Sequence, residues 1–361
     1  NGLVTGVVIV FRDYTEKREK QKEVEYLSFH DHLTGLYNRR YLEDSLNRLD
    51  TLRNLPFAII VIDVNGLKLT NDAYGHAMGD RLLKTTGTVL QNACRGDDII
   101  ARTGGDEFVI LLPRTNRDQA DSFKRRINTM VQNTKLDSVI ISLAVGYAVK
   151  TEPDQDIHEV MKEADNRMYK NKLKYSRVMR SQTIEKVLRN INNKYDNEQI
   201  HTARGSQYCE AIARALDFSE NAIQEIKTVG ILHDIGKIAI SPDILSKKDK
   251  LTPEEWEEVK RHPITGYNIL KSAEEYASFA DVVLHHHERW DGKGYPSRLM
   301  GEDISLFSRI VAVADSYEAM TAKRSYQITK TKEEAIAELQ RCAGTQFDAA
   351  IVKVFIDKVL N

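Results

Sequence analysis

Six of the ten histidines in this chain fall between His201 and His287. They arrive as His201, the pair His233-Asp234, His262, and the run His285-His286-His287, with Asp315 downstream. Imidazole and carboxylate together suit a borderline transition metal. The His-Asp and His-His pairs sit in helical patterns, which predicts one binuclear site assembled from several helices. Three successive helix positions span about 200°, so His285 is expected to point away while its two successors face the site. Lys237, one turn beyond His233-Asp234, stands where it could hold a phosphate oxygen. Six scattered histidines would need none of this company.

A second constellation lies upstream. Residues 57–64 (FAIIVIDV) read as a buried strand that delivers Asp63 at its end. Residues 102–108 (RTGGDEF) lie between two apolar runs and read as a tight hairpin. Its two glycines would let the backbone approach a polyanion, and Asp106 and Glu107 could hold a divalent cation. Alone, Gly-Gly-Asp is equally a plain turn. Carboxylates arriving from two neighbouring strands, with Lys68 close in sequence, instead suit two-metal nucleotidyl transfer.

The elements needed to position these groups follow from the patterning. Between residues 30 and 177 helices alternate with apolar strands at 57–64, 99–102, 108–112 and 139–149, which predicts an α/β layered domain. From Ser181 onward strand signals vanish and amphipathic helices take over, at 223–232, 307–320 and 332–341. Residues 181–197 read as a linking helix. Residues 2–12 read as a single strand, and 16–27 as a charged helix that is either a short coiled coil or a solvated linker.

Over residues 30–177 the motifs resemble the GGDEF family of diguanylate cyclases, whose opening segment matches Asp31-x-Leu-Thr-Gly-Leu-x-Asn-Arg39. That resemblance implies a nucleotide-cyclase, palm-like sheet with flanking helices. It implies that Asp63 and Glu107 ligate Mg²⁺ and that Asp106 helps to activate a 3′-hydroxyl. Asn71 and Asp80 would read guanine, whose edges need the donors and acceptors these side chains offer. Lys68 and Lys172 would touch the triphosphate, and His76 would belong to the cyclase's loop, as a further substrate-binding residue. Arg95 and Asp98 stand at the family's product-inhibition site. After Lys172 the chain departs from the family pattern, with Lys174-Tyr175-Ser176-Arg177 in place of a Gly followed by basic and amide residues.

From His201 to the C-terminus the sequences HDIGK and HHERWDGKGYP resemble the HD-GYP family of metal-dependent cyclic dinucleotide phosphodiesterases. An all-α domain follows from that resemblance, with His201, His233, Asp234, His262, His286, His287 and Asp315 as metal ligands. Two Fe or Mn ions would share Asp234 and activate a water. Lys237 and Arg324 would hold phosphate oxygens, and Tyr295 with the 292–294 loop would shape a base pocket. Where some relatives place a third metal's Glu, this chain has Asn197, so two metals are expected. Trp290 either stacks on a base or packs. Strand 2–12 with Asp13-Tyr14-Thr15 resembles the end of a PAS sensor.

The expected layout is a truncated PAS-like strand at 1–12, a helical linker at 13–29, a GGDEF domain at 30–177, a linker helix at 178–197 and an HD-GYP domain at 198–361. A length of 361 residues agrees with that count. The net charge is −1, which gives no general pull toward nucleic acid polymers or anionic membranes. No run of eighteen apolar residues is present, so no membrane helix is expected in this piece. Three well-separated cysteines fit a reducing cytoplasm. The chain starts at Asn1 and is taken as part of a larger, perhaps membrane-bound, sensor.

The expected function is two-way turnover of cyclic di-GMP. The first domain would condense two GTP, which requires a homodimer, and the second would hydrolyse the product to pGpG or GMP. The alternatives are a phosphodiesterase with a regulatory, GTP-binding GGDEF domain and a non-catalytic receptor for the dinucleotide.

Overall fold

The computed structural model describes residues 26, 28–136, 139–194, 198–247, 249–322 and 329–361. The PAS-like strand, most of the linker helix, Asn197 and Arg324 lie outside them. The chain forms two compact units. One comprises Asn1–Asn65, Leu83–Thr134 and Ile141–Lys174; the other comprises Gly66–Leu82, Lys135–Ile140 and Tyr175–Asn361.

The first unit is built on a five-stranded sheet in the order β1-β3-β4-β2-β5. Its strands are β1 (Tyr37–Asn38), β2 (Phe57–Val64), β3 (Ile99–Gly104), β4 (Glu107–Leu112) and β5 (Leu143–Lys150). Only the β1–β3 pair is parallel, which makes the sheet mixed. Every residue of β2 is buried. A strand covered on both faces reads as a continuous apolar run, and FAIIVIDV does. One face packs Phe57, Ile59 and Val61 against the helices Arg39–Leu49 and Ile157–Lys194 through Leu42, Leu46, Val160 and Ala164. The expected strand from residue 139 begins only at Leu143, and Val139 forms an isolated bridge to Leu136 instead.

The second unit is helical, and among the described residues no strand follows β5. One core joins the helices Glu198–Ala215, Glu220–Leu232, Leu306–Thr321 and Lys332–Cys342 through Cys209, Ile226, Ile310, Ala314 and Leu339. Ile310, Val313, Ala314 and Tyr317 recur at helical spacing, which makes the helix Leu306–Thr321 the buried axis of this core. A second core contains Leu69 and Ala73 of the helix Leu67–Tyr74 together with Ile184, Ile235, Ile238 and Ile269. The fold thus pairs a mixed sheet and flanking helices with a helical unit, as the patterning predicts.

Candidate metal centre and nucleotide site

Ligand groups of the helical unit come from the ends of elements more than from their middles. His201 lies in the first turn of the helix Glu198–Ala215 and Asp315 inside Leu306–Thr321. His233 caps the C-terminus of Glu220–Leu232, and Asp234 begins the 3-10 turn Ile235–Ala239. His262 is the first residue of His262–Lys271, where Pro263 is tolerated because its missing N–H would have no helical partner. His286 and His287 lie in the turn after the short helix Ala280–Leu284. The expectation that the His-Asp and His-His pairs sit within helices is therefore corrected. Adjacent residues in one helix diverge by about 100°, whereas a chain leaving a helix can aim both inward.

Gly236 explains how these ends meet. A Cβ at this position would overlap the carbonyl of His262 and the amide of Gly266. Glycine therefore permits the turn after Asp234 to lie directly against the helix that carries His262.

The donor atoms converge in two groups that share Asp234. One holds His201, His233, Asp234 and Asp315; the other holds Asp234, His262, His286 and His287, with all ligand atoms of each group within 4.8 Å of one another. Asp234 Oδ2 lies 3.2 Å from His233 Nε2 and 3.8 Å from His201 Nε2. Its Oδ1 lies 3.3 Å from His262 Nε2 and 3.9 Å from His286 Nε2. One carboxylate thus presents an oxygen to each group. Asp315 Oδ1 closes the first group, 3.3 Å from His201 Nε2 and 3.5 Å from His233 Nε2.

Outer partners orient the rings. The Nδ1 of His233, His262 and His286 meets the backbone carbonyl three residues earlier, at 2.9, 2.7 and 2.6 Å. A protonated Nδ1 in that bond leaves Nε2 as the inward-facing lone pair. His201 Nδ1 meets the buried carboxylate of Glu318 instead. His285 turns aside to Ser297 Oγ at 3.2 Å, as expected.

Electrostatics agree with a cation site. Burial disfavours a charged imidazole, yet Asp234, Asp315 and Glu318 overcome it at His201 and push its pKa up to about 12. Asp234 and Asp315 do the same at His233, to about 10. In the second group burial prevails: His262 and His286 are pushed down and His287 falls to about 3. Despite burial, Lys237 and the histidines hold Asp234 well below the usual carboxylate range. His233 Nε2 is buried without a directed hydrogen bond. Two carboxylates calling for positive charge, beside imidazoles held neutral, form a donor set that fits two transition-metal ions. Lys237 Nζ lies 2.7 Å from Asp234 Oδ2, bringing its charge to the edge of this set.

Beside the cluster lies a cavity of about 970 Å³ whose walls include His286, His287, Asp315, Tyr295 and Trp256. Glu288 secures the loop that carries Tyr295. Its buried carboxylate accepts the amides of Ser297 at 2.6 Å and Leu299 at 3.1 Å. Trp290 lies elsewhere and packs under the Arg309 guanidinium, 5.6 Å from the ring centre.

In the sheet unit, register brings the carboxylates together. Asp63 on β2 pairs with Glu107 on antiparallel β4, and Gly105 and Asp106 form the connecting turn. Gly104 and Gly105 have φ of +145° and +53°, conformations that side chains rarely adopt, so the tight turn needs both. Asp63 is buried and its Oδ1 has no hydrogen-bond partner, while Oδ2 accepts from Lys172 Nζ at 2.6 Å. Burial first, then Asp106 and Glu107, raise the Asp63 pKa against the pull of Lys172. An orphaned carboxylate oxygen beside further carboxylates fits a divalent cation. Lys172 itself lies on Asp63 in this arrangement.

The opening motif proves to be a brace for the hairpin. Asp31 accepts two bonds from Arg102 Nη1, at 3.0 and 3.1 Å, and Arg102 in turn donates to the Gly105 carbonyl. Arg95 N donates to Asp98 Oδ2 at 2.7 Å, and both residues line a cavity of about 280 Å³ with Arg126.

The remaining substrate residues belong to the second unit and lie on helices, which corrects the expectation of a loop at His76. Lys68 and Asn71 lie on Leu67–Tyr74, and His76 and Asp80 in the first turns of His76–Ala93, with only Gly75 between the two helices. Sequence reasoning passed over Arg102, Glu318, Glu288 and Trp256. For Glu318 a signal existed: it follows Asp315 by one helical turn.

Known proteins match in two blocks. Residues 28–177 match the family model described as diguanylate cyclase, GGDEF domain, and residues 185–351 match that described as HD domain. The chain is 38% identical over 159 residues to the 3′3′-cGAMP-specific phosphodiesterase 2 of Vibrio cholerae, covering 44% of this chain and 30% of that protein. It is 40% identical over 158 residues to a cyclic di-GMP phosphodiesterase of Thermotoga maritima, covering 43% of each. A structure of the coiled coil and GGDEF domain of DgcB from Caulobacter crescentus with c-di-GMP is 26% identical, covering 44% of this chain and 87% of that one, with a TM-score of 0.41. The chain spans less than half the length of the first curated relatives it matches.

Proposed function

We propose that this chain turns over cyclic di-GMP in both directions, with a GGDEF domain at 30–177 making it and an HD-GYP domain at 198–361 hydrolysing it. The observation that carries the hydrolytic half is the Asp234 carboxylate, which faces a different group of ligands with each oxygen. The relatives from Vibrio cholerae and Thermotoga maritima, phosphodiesterases of cyclic dinucleotides, support the substrate class. HDIGK and the 286–296 segment support the HD-GYP subtype.

Two Fe or Mn ions, when bound, would supply a nucleophile at neutral pH and neutralise phosphate charge. The chain's own residues do the rest. Backbone carbonyls and Glu318 hold the imidazoles in the ligating orientation. Lys237 can release Asp234 and take a phosphate oxygen, with Arg324 as a second anion partner. Glu288 keeps Tyr295 at the mouth of the cavity.

For synthesis, Asp63 and Glu107 would hold Mg²⁺, and Asp106 would accept the proton of the attacking 3′-hydroxyl. Lys172 would leave Asp63 for the triphosphate as the cation arrives. Asn71, Asp80, Lys68 and His76 would bind GTP, and Arg95 with Asp98 would bind product. Two copies must face each other to join two GTP, so a homodimer is part of the reading, driven by the N-terminal linker helix and a PAS-like sensor. The narrower reading, a phosphodiesterase whose GGDEF domain binds GTP without turning it over, keeps the same GTP-binding residues and differs in the absence of synthesis.

A paired assay tests both. GTP with Mg²⁺ should give cyclic di-GMP, and cyclic di-GMP with Mn²⁺ or anaerobic Fe²⁺ should give pGpG. Hydrolysis without synthesis by a demonstrated dimer would select the narrower reading. Neither activity from metal-loaded protein would overturn both.

A further inference from the structure

The cavity beside the metal cluster has one wall that the metal chemistry does not use. Trp256 is 45% exposed, on the short helix Pro253–Val259. That helix is pinned by a capping box between Thr252 and Glu255 and by Lys247, whose ammonium lies 2.6 Å from Glu255. Its indole stands edge-on to Tyr295, with ring centres 6.4 Å apart and planes at 77°. Tyr295 leans over His287 at 4.9 Å, and His287 neighbours His286 at 4.0 Å. A line of rings therefore runs from the metal ligands to the indole.

The same cavity is lined by Lys260, Arg261, Lys293 and Arg298, with Lys260 held 2.6 Å from Glu257. An exposed indole is held here by a capped helix, edge-on to a tyrosine, in a cavity that four basic side chains also line. Stacking platforms for nucleobases combine such aromatic faces with a basic groove for the backbone. The chain's other tryptophan has its face taken by Arg309.

We propose that Trp256 stacks one base of the cyclic dinucleotide, with Tyr295 closing the corner, while Arg261 and Arg298 hold the phosphodiester that is not cut. The inference rests on the phosphodiesterase reading and adds where the far half of that substrate sits. Stacking tolerates any purine, so the corner sets affinity for a dinucleotide and leaves discrimination between guanine and adenine to other groups.

The chain has two tryptophans, so each indole can be observed alone. In Trp290→Phe protein stripped of metal, cyclic di-GMP should quench the emission of Trp256 saturably. In Trp256→Phe protein the emission of Trp290 should stay constant. With metal restored, Trp256→Ala should raise KM roughly tenfold with a much smaller change in kcat, and Trp256→Phe should recover most of that KM. Absence of quenching, or a Trp256→Ala variant with wild-type KM, overturns the proposal. Saturable quenching without hydrolysis by metal-loaded wild type keeps the stacking site and overturns the phosphodiesterase reading alone.

Discussion

The two acidic centres of this molecule are assembled by opposite means. In the helical unit seven candidate ligands are spread over 115 positions, from His201 to Asp315; six lie at or just beyond helix ends and Asp315 lies inside a helix, and they meet because those elements are packed together. In the sheet unit Asp63 faces Glu107 because antiparallel strands in register place them there. Backbone ladders fix a sheet site before any side chain is consulted. A helix-end cluster depends instead on packing at Gly236 and on carbonyls that hold each ring. The first kind tolerates changes around it; the second is a network in which members depend on one another.

The sharpest way to break the contrast is Asp234→Asn. Both ligand groups lose a charged oxygen, so metal content should drop and hydrolysis should fall by more than the 10–100-fold typical of outer-shell changes, while synthesis persists. Elemental analysis alongside the paired assay reads this, and a variant that retains both metals would break the shared-ligand assignment. Glu107→Gln is the mirror image, with synthesis reduced roughly a hundredfold and hydrolysis kept. Loss of both activities together would mean that the two centres are not independent.

Glu318→Gln probes orientation without touching a ligand atom. Weakened hold on the His201 ring should lower metal affinity by about 10–100-fold, measured by competition with a chelator. Unchanged affinity would reduce Glu318 to a packing role. Smallest is Asp31→Asn in the sheet unit. Burial alone would raise the Asp31 pKa, but Thr34 and Arg102 pull it below the usual value. Its folded-state pKa is thus depressed, so it stabilises above the unfolded value of about 3.9 and that contribution fades as pH falls through the folded value. Asp31→Asn should cost about 1–3 kcal/mol at neutral pH and little in strong acid. Equal destabilisation at both pH values would sink the account.

Much of this was legible before folding. FAIIVIDV gives the bounds of β2, and the glycine pair gives the hairpin, because burial on both faces and positive φ leave direct marks on residue choice. The ligand set was readable as histidines and carboxylates at irregular spacing. Less legible was where elements start and stop: the 139–149 strand began four residues late, and His76, expected in a loop, begins a helix separated from the one before it only by Gly75. Arg102 carries no motif of its own, and only its bonds to Asp31 and Gly105 reveal a role.

The sequence by itself determined which residues can do chemistry here, since metal-binding imidazoles, carboxylates and turn glycines are identities that no packing can supply. Only the tertiary structure decided how they act together. It gave Asp234 one oxygen for each group, set Glu318 behind His201, and put Trp256 rather than Trp290 at the cavity. Those outcomes depend on distances between residues far apart in the chain. Spacing along a sequence constrains neighbours within one helix or strand, and beyond that only packing brings atoms within bonding range.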